Sequence, residues 1–358
     1  METIDFASDE PNVELLPLEE LADCAATVLA NDGKAILSYG SGAGYTPLRE
    51  LIGEWFGVHP FRVVITSGWL QGFALLSSRL VPGRAAAVEY PADERTVNTL
   101  LGAGGSLLYV VGDDEGLLTS DLEQQLIQYA HPTLIVVNPD FSSPTGRVMS
   151  LDRRRHLVEL LARFNGLRTE EMLLLEDGSY ELTRYEGERV PGLFEVSGRR
   201  TIFSSSFSAT IAPGLRTGWL ILPDELAPVI AQAANSTYIT APLLGQATAF
   251  EFIRRGSFEP HLAHVRETLR ARRDAMLAAL AEHLPGARWS TPEGGYFVWL
   301  ELPSEIDGRA VLERAKGVTA LDGTRFAVTS NLLRLSYSAT GVDEIPIGIE
   351  RLGAAVAV

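Results

Sequence analysis

From about Phe61 onward, short runs of apolar and β-branched residues alternate with longer stretches of helical period. FRVVIT (61–66), AAAVEY (85–90), LLYVV (107–111), TLIVVNP (133–139), MLLLED (172–177), TIFSSS (201–206) and GWLILP (218–223) have the length and composition of strands. Most are continuously apolar, the pattern of strands covered on both faces. Helical stretches at 69–80, 118–130 and 151–164 lie between them, and repeated strand–helix units predict a doubly wound, mostly parallel α/β fold. The first of these helices follows Thr66-Ser67-Gly68, a turn able to aim backbone N–H groups at an anion.

After Pro223 the pattern turns helical, with a long helix over 257–283 whose arginines and glutamates read as a solvated surface. Strands at 287–291, 296–301 (YFVWLE) and 332–337 (LLRLSY) and a closing helix from about 342 predict a smaller α+β unit. No glycine/serine linker divides the halves, so a shared interface is expected, a common place for small-molecule sites.

Composition narrows the partners. The chain has 358 residues, 46% hydrophobic and 21% charged, enough for one large core or two modest ones. Its formal net charge of −16 argues against nucleic acid and anionic membrane, which need clustered cations, and leaves a small molecule. Only Lys34 and Lys316 are lysines; the other 28 basic residues are arginines. A lone Cys24 excludes an internal disulfide and a cysteine zinc cluster and suits a reducing compartment. The acidic start METIDFASDEPNVELL is unlike a signal peptide, and no run of about 18 apolar residues is present. A cytoplasmic, soluble protein is expected.

Several constellations could carry chemistry. Gly40-Ser41-Gly42-Ala43-Gly44 suggests a dinucleotide loop, but Tyr45 stands where the third glycine belongs and no strand precedes it. His261, His264 and Glu267 have metal-like spacing on a polar helix, which reads as a solvated face, so no metal is expected. The serines at 204–206 and 208 lack an evident activating histidine. Asp177 closes an apolar strand at the edge where ligands bind in this architecture, and Tyr180 follows three residues later. Arg216 follows a proline-glycine turn and Arg334 sits within an apolar strand; each is either a structural ion pair or a contact for a carboxylate or phosphate.

Together PDFSSPTG (139–146), LEDGSY (175–180), SSSFSATIAPGLRTGW (204–219), PEGGYFVW (292–299) and LRLS (333–336) resemble the successive motifs of the class I/II aminotransferases. These are fold-type-I enzymes dependent on pyridoxal phosphate, and the resemblance runs from about residue 4 to the C-terminus. The nearest texture is the branch of 2-aminoadipate-type aminotransferases and the aminotransferase domains of GntR-type regulators. The resemblance implies an N-terminal arm and small-domain segment at 1–45, a large α/β domain at 46–235, and interdomain helices with a small α+β domain at 236–358. It implies that Asp177 pairs with the pyridine nitrogen and Tyr180 with the phenolic oxygen. By the same resemblance Ser206, Ser208 and Arg216 would hold the phosphate, with the N–H groups after Ser67-Gly68. The resemblance also implies that Arg334 grips the substrate's α-carboxylate, that Gly40 meets the substrate, and that Tyr45 reaches the neighbouring subunit's phosphate in a homodimer.

The chain departs from that pattern at the decisive residue. Ala209 stands where the family's S-x-x-K carries the Schiff-base lysine, which removes both the covalent anchor and the proton shuttle. Ser143 replaces an asparagine, Asp93 the stacking aromatic of E-x-P-x-Y, and Trp69 a small hydroxyl residue, with Leu70 after it. Because four positions of one cup change together, natural divergence is expected over a lysine-to-alanine exchange in a working aminotransferase. The expected function is a diverged aminotransferase-fold protein, an enzyme with altered chemistry, that binds an amino-acid-like carboxylate. Any pyridoxal or pyridoxamine phosphate is held without lysine, or lost. The alternatives are an ordinary aminotransferase seen as an inactive variant and a non-catalytic ligand-binding module. Lys34 and Lys316 remain as the two conceivable substitutes for the lysine.

Overall fold

All seven strand segments read between residues 61 and 223 enter one eight-stranded sheet. The computed structural model describes residues 3–11, 13–128, 131–167 and 171–357. In spatial order the strands are Val63–Thr66, Gly218–Ile221, Ile202–Ser206, Leu173–Asp177, Pro132–Val137, Ala85–Tyr90, Ser106–Asp113 and Gly116–Leu117. Gly218–Ile221 and Gly116–Leu117 run against the rest, so the sheet is mostly parallel.

Alternate residues of these strands feed different cores, which is why the runs lack polar alternation. Val64, Val88, Leu134, Leu175 and Leu220 pack with Phe73, Leu76 and Leu100. Their neighbours Val63, Ile65, Phe203, Trp219 and Ile221 pack with Leu48, Ile52 and Phe252. The exception is Ser106–Asp113, next to the sheet's edge, where Tyr109 and Val111 are exposed.

Helices Trp69–Leu80, Thr119–Ile127 and Leu151–Asn165 match the expected stretches, although residues 129 and 130 of the second expectation lie outside the described residues. A second, antiparallel sheet orders Arg288–Trp289, Phe297–Glu301, Leu332–Ser336 and Leu321–Asp322, and helix Glu344–Val356 closes the fold. The long helix Phe258–His283 corrects one expectation. It is not simply a solvated face, because Arg272 and Arg273 are buried. Arg272 donates to the Ser338 carbonyl, and Arg273 donates to the Pro292 carbonyl at 2.7 Å and to Glu186 at 2.5 Å.

Two features position the cavity described next. Arg154 is fully buried, makes a two-pronged pair with Asp140 (3.0 Å each) and donates to the carbonyls of Met149, Pro139 and Pro191, which pins the segment after Pro132–Val137. The N-terminal segment pairs Ile4–Asp5 with Val318–Thr319 and is tied at Phe6 and Glu10, whose carbonyls accept from Ser336 N (2.8 Å) and Ser338 Oγ (2.7 Å). Among the described residues no helix is long and apolar enough to cross a membrane.

Candidate functional site

A cavity of about 460 Å³ opens at the carboxyl ends of the large sheet's strands, the side on which open α/β sheets bind ligands. Strand ends supply Glu89, Asp177 and Ser206, and the loops after them supply Asp93, Asn138, Tyr180, Ser208 and Ala209. Helix Trp69–Leu80 points its N-terminus at this space.

At that N-terminus Gly68 has φ 82°, and a Cβ there would come within 2.6 Å of the Arg216 guanidinium. Only glycine therefore lets Arg216 lie against the turn. Arg216 Nη2 donates to the Ser67 carbonyl at 2.8 Å and Nη1 to the Pro213 carbonyl at 3.2 Å. No carboxylate pairs with it among the described residues, so its charge and the helix's N–H groups form a corner chemically suited to an anion. Ser206 Oγ accepts from Ser208 N at 3.3 Å beside it. Trp69 stacks on Phe73 with ring centroids 4.8 Å apart and lines the cavity, with its indole N–H buried and unpartnered. Leu70, the next departure, is exposed beside it.

Asp177 sits deeper. Its Oδ1 accepts from Ser179 N at 2.9 Å and Ser179 Oγ at 2.5 Å, yet burial, reinforced by the charge of Asp93, pushes its carboxyl up to about 7. Glu89 accepts from Asn138 N at 2.8 Å and is also pushed up to about 7 by burial. Asn138 Nδ2 donates to the Asp177 carbonyl at 2.7 Å, tying the two strand ends. Tyr180 packs edge-on to Tyr296 and Phe297, and burial drives its phenol far above the ordinary range. Ala209 is 8% exposed and presents only a methyl group; its carbonyl accepts from Tyr296 Oη at 3.2 Å.

The departures Asp93 and Ser143 form one device. Asp93 Oδ1 accepts from Arg95 N at 2.9 Å and caps helix Glu94–Gly102, while Oδ2 accepts from Ser143 Oγ at 3.1 Å. Ser143 Oγ accepts in turn from Arg334 Nη1 at 3.3 Å. Arg334 is 3% exposed and does not reach the cavity wall. Its Nη2 donates to the Ala7 carbonyl at 2.9 Å, its guanidinium lies 4.2 Å from the Phe297 ring centroid and 5.4 Å from that of Phe326, and Nε has no partner. Burial lowers its proton affinity. The ion pair that seemed the plain reading of a buried arginine is absent for Arg334 among the described residues; aromatic faces and neutral oxygens take its place.

The other expected residues lie elsewhere. Tyr45 caps helix Thr46–Phe56, packs on Phe250 and donates its N–H to Gln246 at 2.8 Å. Gly40 sits against Leu243. Neither lines the cavity of the single chain. Lys34, near the end of helix Leu18–Ile36, and Lys316, before Val318–Thr319, are both exposed and outside the cavity. The His261 ring turns edge-on to Phe252, and among the described residues no three histidine, cysteine or acidic side chains converge as a metal site. Residues without a sequence reading also line the cavity: Glu89, and Asp9 paired with Arg95. Glu89 fills the first place of the E-x-P-x-Y pattern, a signal that could have found it; Asp9 and Arg95 have no motif.

Comparison with known proteins gives a consistent family. The model of aminotransferase class I and II matches residues 2–352. The 2-aminoadipate transaminase of Thermus thermophilus is 31% identical over 99% of this chain and 90% of its own. An uncharacterised HTH-type transcriptional regulator of Bacillus subtilis, YdfD, is 27% identical over 98% of this chain and 73% of its own. Among solved structures, the α-aminoadipate aminotransferase of T. thermophilus in complex with N-(5'-phosphopyridoxyl)-L-leucine superposes with a TM-score of 0.93 at 31% identity, covering 99% of this chain and 92% of that one.

Proposed function

This chain belongs to the aminotransferase class I and II family, and on that premise we propose that it is a diverged member. It binds an amino-acid-like carboxylate ligand, holds pyridoxal or pyridoxamine phosphate without a covalent lysine, and has chemistry altered from ordinary transamination. The observation that carries the reading is the composition of the cavity: it retains Asp177, Tyr180, Ser208 and Arg216, while Ala209 lines it and both lysines lie exposed outside it.

The donor set supports a pyridine and a phosphate. Arg216, Ser206, Ser208 and the N–H groups after Gly68 would hold the phosphate, and Gly68 leaves the space that this requires. Asp177 would hold the pyridine nitrogen and Tyr180 the phenolic oxygen. When bound, such a ring draws electrons from a bond breaking at the ligand's α-carbon. Meeting a cationic ring nitrogen would keep Asp177 ionised against the burial that raises it. A methyl group at Ala209 neither attaches an aldehyde nor moves a proton, so those tasks fall to the ligand itself or to other groups. Glu89, which lines the cavity and whose carboxyl burial pushes up to about 7, is a group able to hold a proton on the sheet side. Tyr45 supports completion of the site across a homodimer, as the family resemblance implies.

The test is ligand titration of the purified protein. Pyridoxamine phosphate is expected to raise the thermal midpoint, and pyridoxal phosphate to bind without the absorbance of a covalent lysine adduct; absence of both effects refutes cofactor binding. Ala209→Lys is expected to leave the protein without half-transamination, because Asp93, Ser143 and Trp69 remain. A yellow, active revertant would instead identify an ordinary aminotransferase with one exchanged lysine.

A further inference from the structure

The cavity holds a second arginine that no motif identifies. Arg95, in the first turn of helix Glu94–Gly102, lines the cavity, and its guanidinium grips both carboxylate oxygens of Asp9. Asp9 belongs to the N-terminal segment, which is anchored on either side: the Phe6 carbonyl accepts from Ser336 N and the Glu10 carbonyl from Ser338 Oγ. Ala7, Ser8 and Asp9 therefore form a short bridge between two fixed points. The same bridge covers Arg334, whose Nη2 donates to the Ala7 carbonyl. Arg95 in the cavity wall and the buried Arg334 behind it are thus met by oxygens of one three-residue segment: Arg95 by a carboxylate in a two-pronged geometry, Arg334 by a carbonyl.

A two-pronged arginine–carboxylate pair is the arrangement by which an arginine reads a ligand's carboxylate. Asp9 is a carboxylate on a backbone tether, supplied at high local concentration by its two anchors. Its side chain is 21% exposed and that of Arg95 is 61% exposed, so water reaches the pair and exchange with an outside anion requires no unfolding. We propose that Arg95 is a specificity-determining contact for a second, distal anionic group of the ligand, and that Asp9 is its tethered competitor, displaced when that group arrives. The inference rests on the proposed reading of the cavity as the site of an amino-acid-like ligand. It adds that the ligand is a dianion in its amino-acid part, and that Asp9 sets a threshold which a ligand with one carboxylate does not cross at Arg95.

The experiment uses full-length protein and two probes that share phosphate, pyridine and α-carboxylate and differ at the far end: N-(5'-phosphopyridoxyl)-L-glutamate and N-(5'-phosphopyridoxyl)-L-leucine. Binding is measured by calorimetry near physiological salt, where charges beyond about 8 Å are largely screened. Wild type is expected to prefer the glutamyl probe by about tenfold, equivalent to about 1.4 kcal/mol. Arg95→Gln is expected to remove the preference by weakening the glutamyl probe alone, and Arg95→Lys, which keeps charge but loses the fork, to retain part of it. Asp9→Asn is expected to tighten the glutamyl probe several-fold and leave the leucyl probe unchanged. If Asp9→Asn weakens or does not alter the glutamyl probe, or tightens both equally, the tethered-competitor role is overturned. If both probes bind wild type equally, Arg95 does not read a distal anion, although the cavity reading stands. If neither binds, the cavity reading fails and this proposal with it. Thermal midpoints of the variants within a few degrees of wild type guard against misfolding.

Discussion

Asp177 offers a direct check on the electrostatics of the cavity. In the ligand-free protein burial raises its carboxyl from an ordinary value of 3.8 to about 7. The folded state therefore holds the proton more tightly than the unfolded chain does. That contribution to stability is fully present below about pH 4 and is lost as pH rises through about 7. A rise of this size corresponds to about 4 kcal/mol. Because Asp177 lines a water-accessible cavity and keeps some exposure, about half of that, about 2 kcal/mol, is the working figure. Asp177→Asn keeps an oxygen for the two Ser179 donors and removes the charge. The variant is thus expected to match wild type near about pH 4 and to exceed it by about 2 kcal/mol near about pH 8. Urea unfolding of both ligand-free proteins across that range measures the difference; the neighbouring Glu176, which accepts from Leu193 N and Phe194 N and which burial pushes up to about 8, is common to both and drops out. Glu89 is repelled by Asp177, so its easier ionisation in the variant acts in the same direction. Pyridoxamine phosphate should reverse the order by stabilising wild type more. A difference that does not change with pH, or a variant less stable at high pH, would refute the claim that burial dominates this carboxyl.

Other expectations concern the supports of the cavity. Arg154→Met should destabilise by about 3–5 kcal/mol, because Asp140 keeps only Arg184 and the carbonyls of Met149 and Pro191 lose the arginine as donor; a urea midpoint near wild type would contradict it. Gly68→Ala should cost about 1 kcal/mol or more, from the strained φ and the clash with Arg216, and should weaken pyridoxamine phosphate several-fold in a thermal-shift titration. Unchanged affinity would separate Arg216 from phosphate binding.

The sequence carried the sheet well. Asp177 at the end of MLLLED and Arg216 after a proline-glycine turn both reach the cavity, because strand ends and the helix N-terminus after Gly68 are local features whose direction follows from the parallel topology. Contacts between distant segments were another matter. Asp93, Ser143 and Arg334 read as three separate positions, yet they are one hydrogen-bonded chain across 50 and 191 residues. Arg334 looked like a side chain facing a ligand or an acid and instead lies among aromatic rings beneath the N-terminal segment. Asp9 and Arg95, 86 residues apart, belong to no pattern, since a pair that depends on how two loops meet leaves no period in either. The polar look of the long helix hid Arg272 and Arg273 for the same reason: their partners are carbonyls, which composition does not display.

The placement of the two lysines bears on how long any ligand stays. An aldehyde entering a pocket that contains an amine is captured by bond formation and leaves only when that bond is reversed. Here the only side-chain amines stand at the surface, so on the proposed reading a ligand between Asp177 and Arg216 is retained by contacts alone. Residence of a phosphate-anchored ligand there would then follow a salt-sensitive dissociation rate. Dialysis at high salt would empty the site, and hydride reagents, which fix a lysine-bound aldehyde in place, would find nothing there to fix.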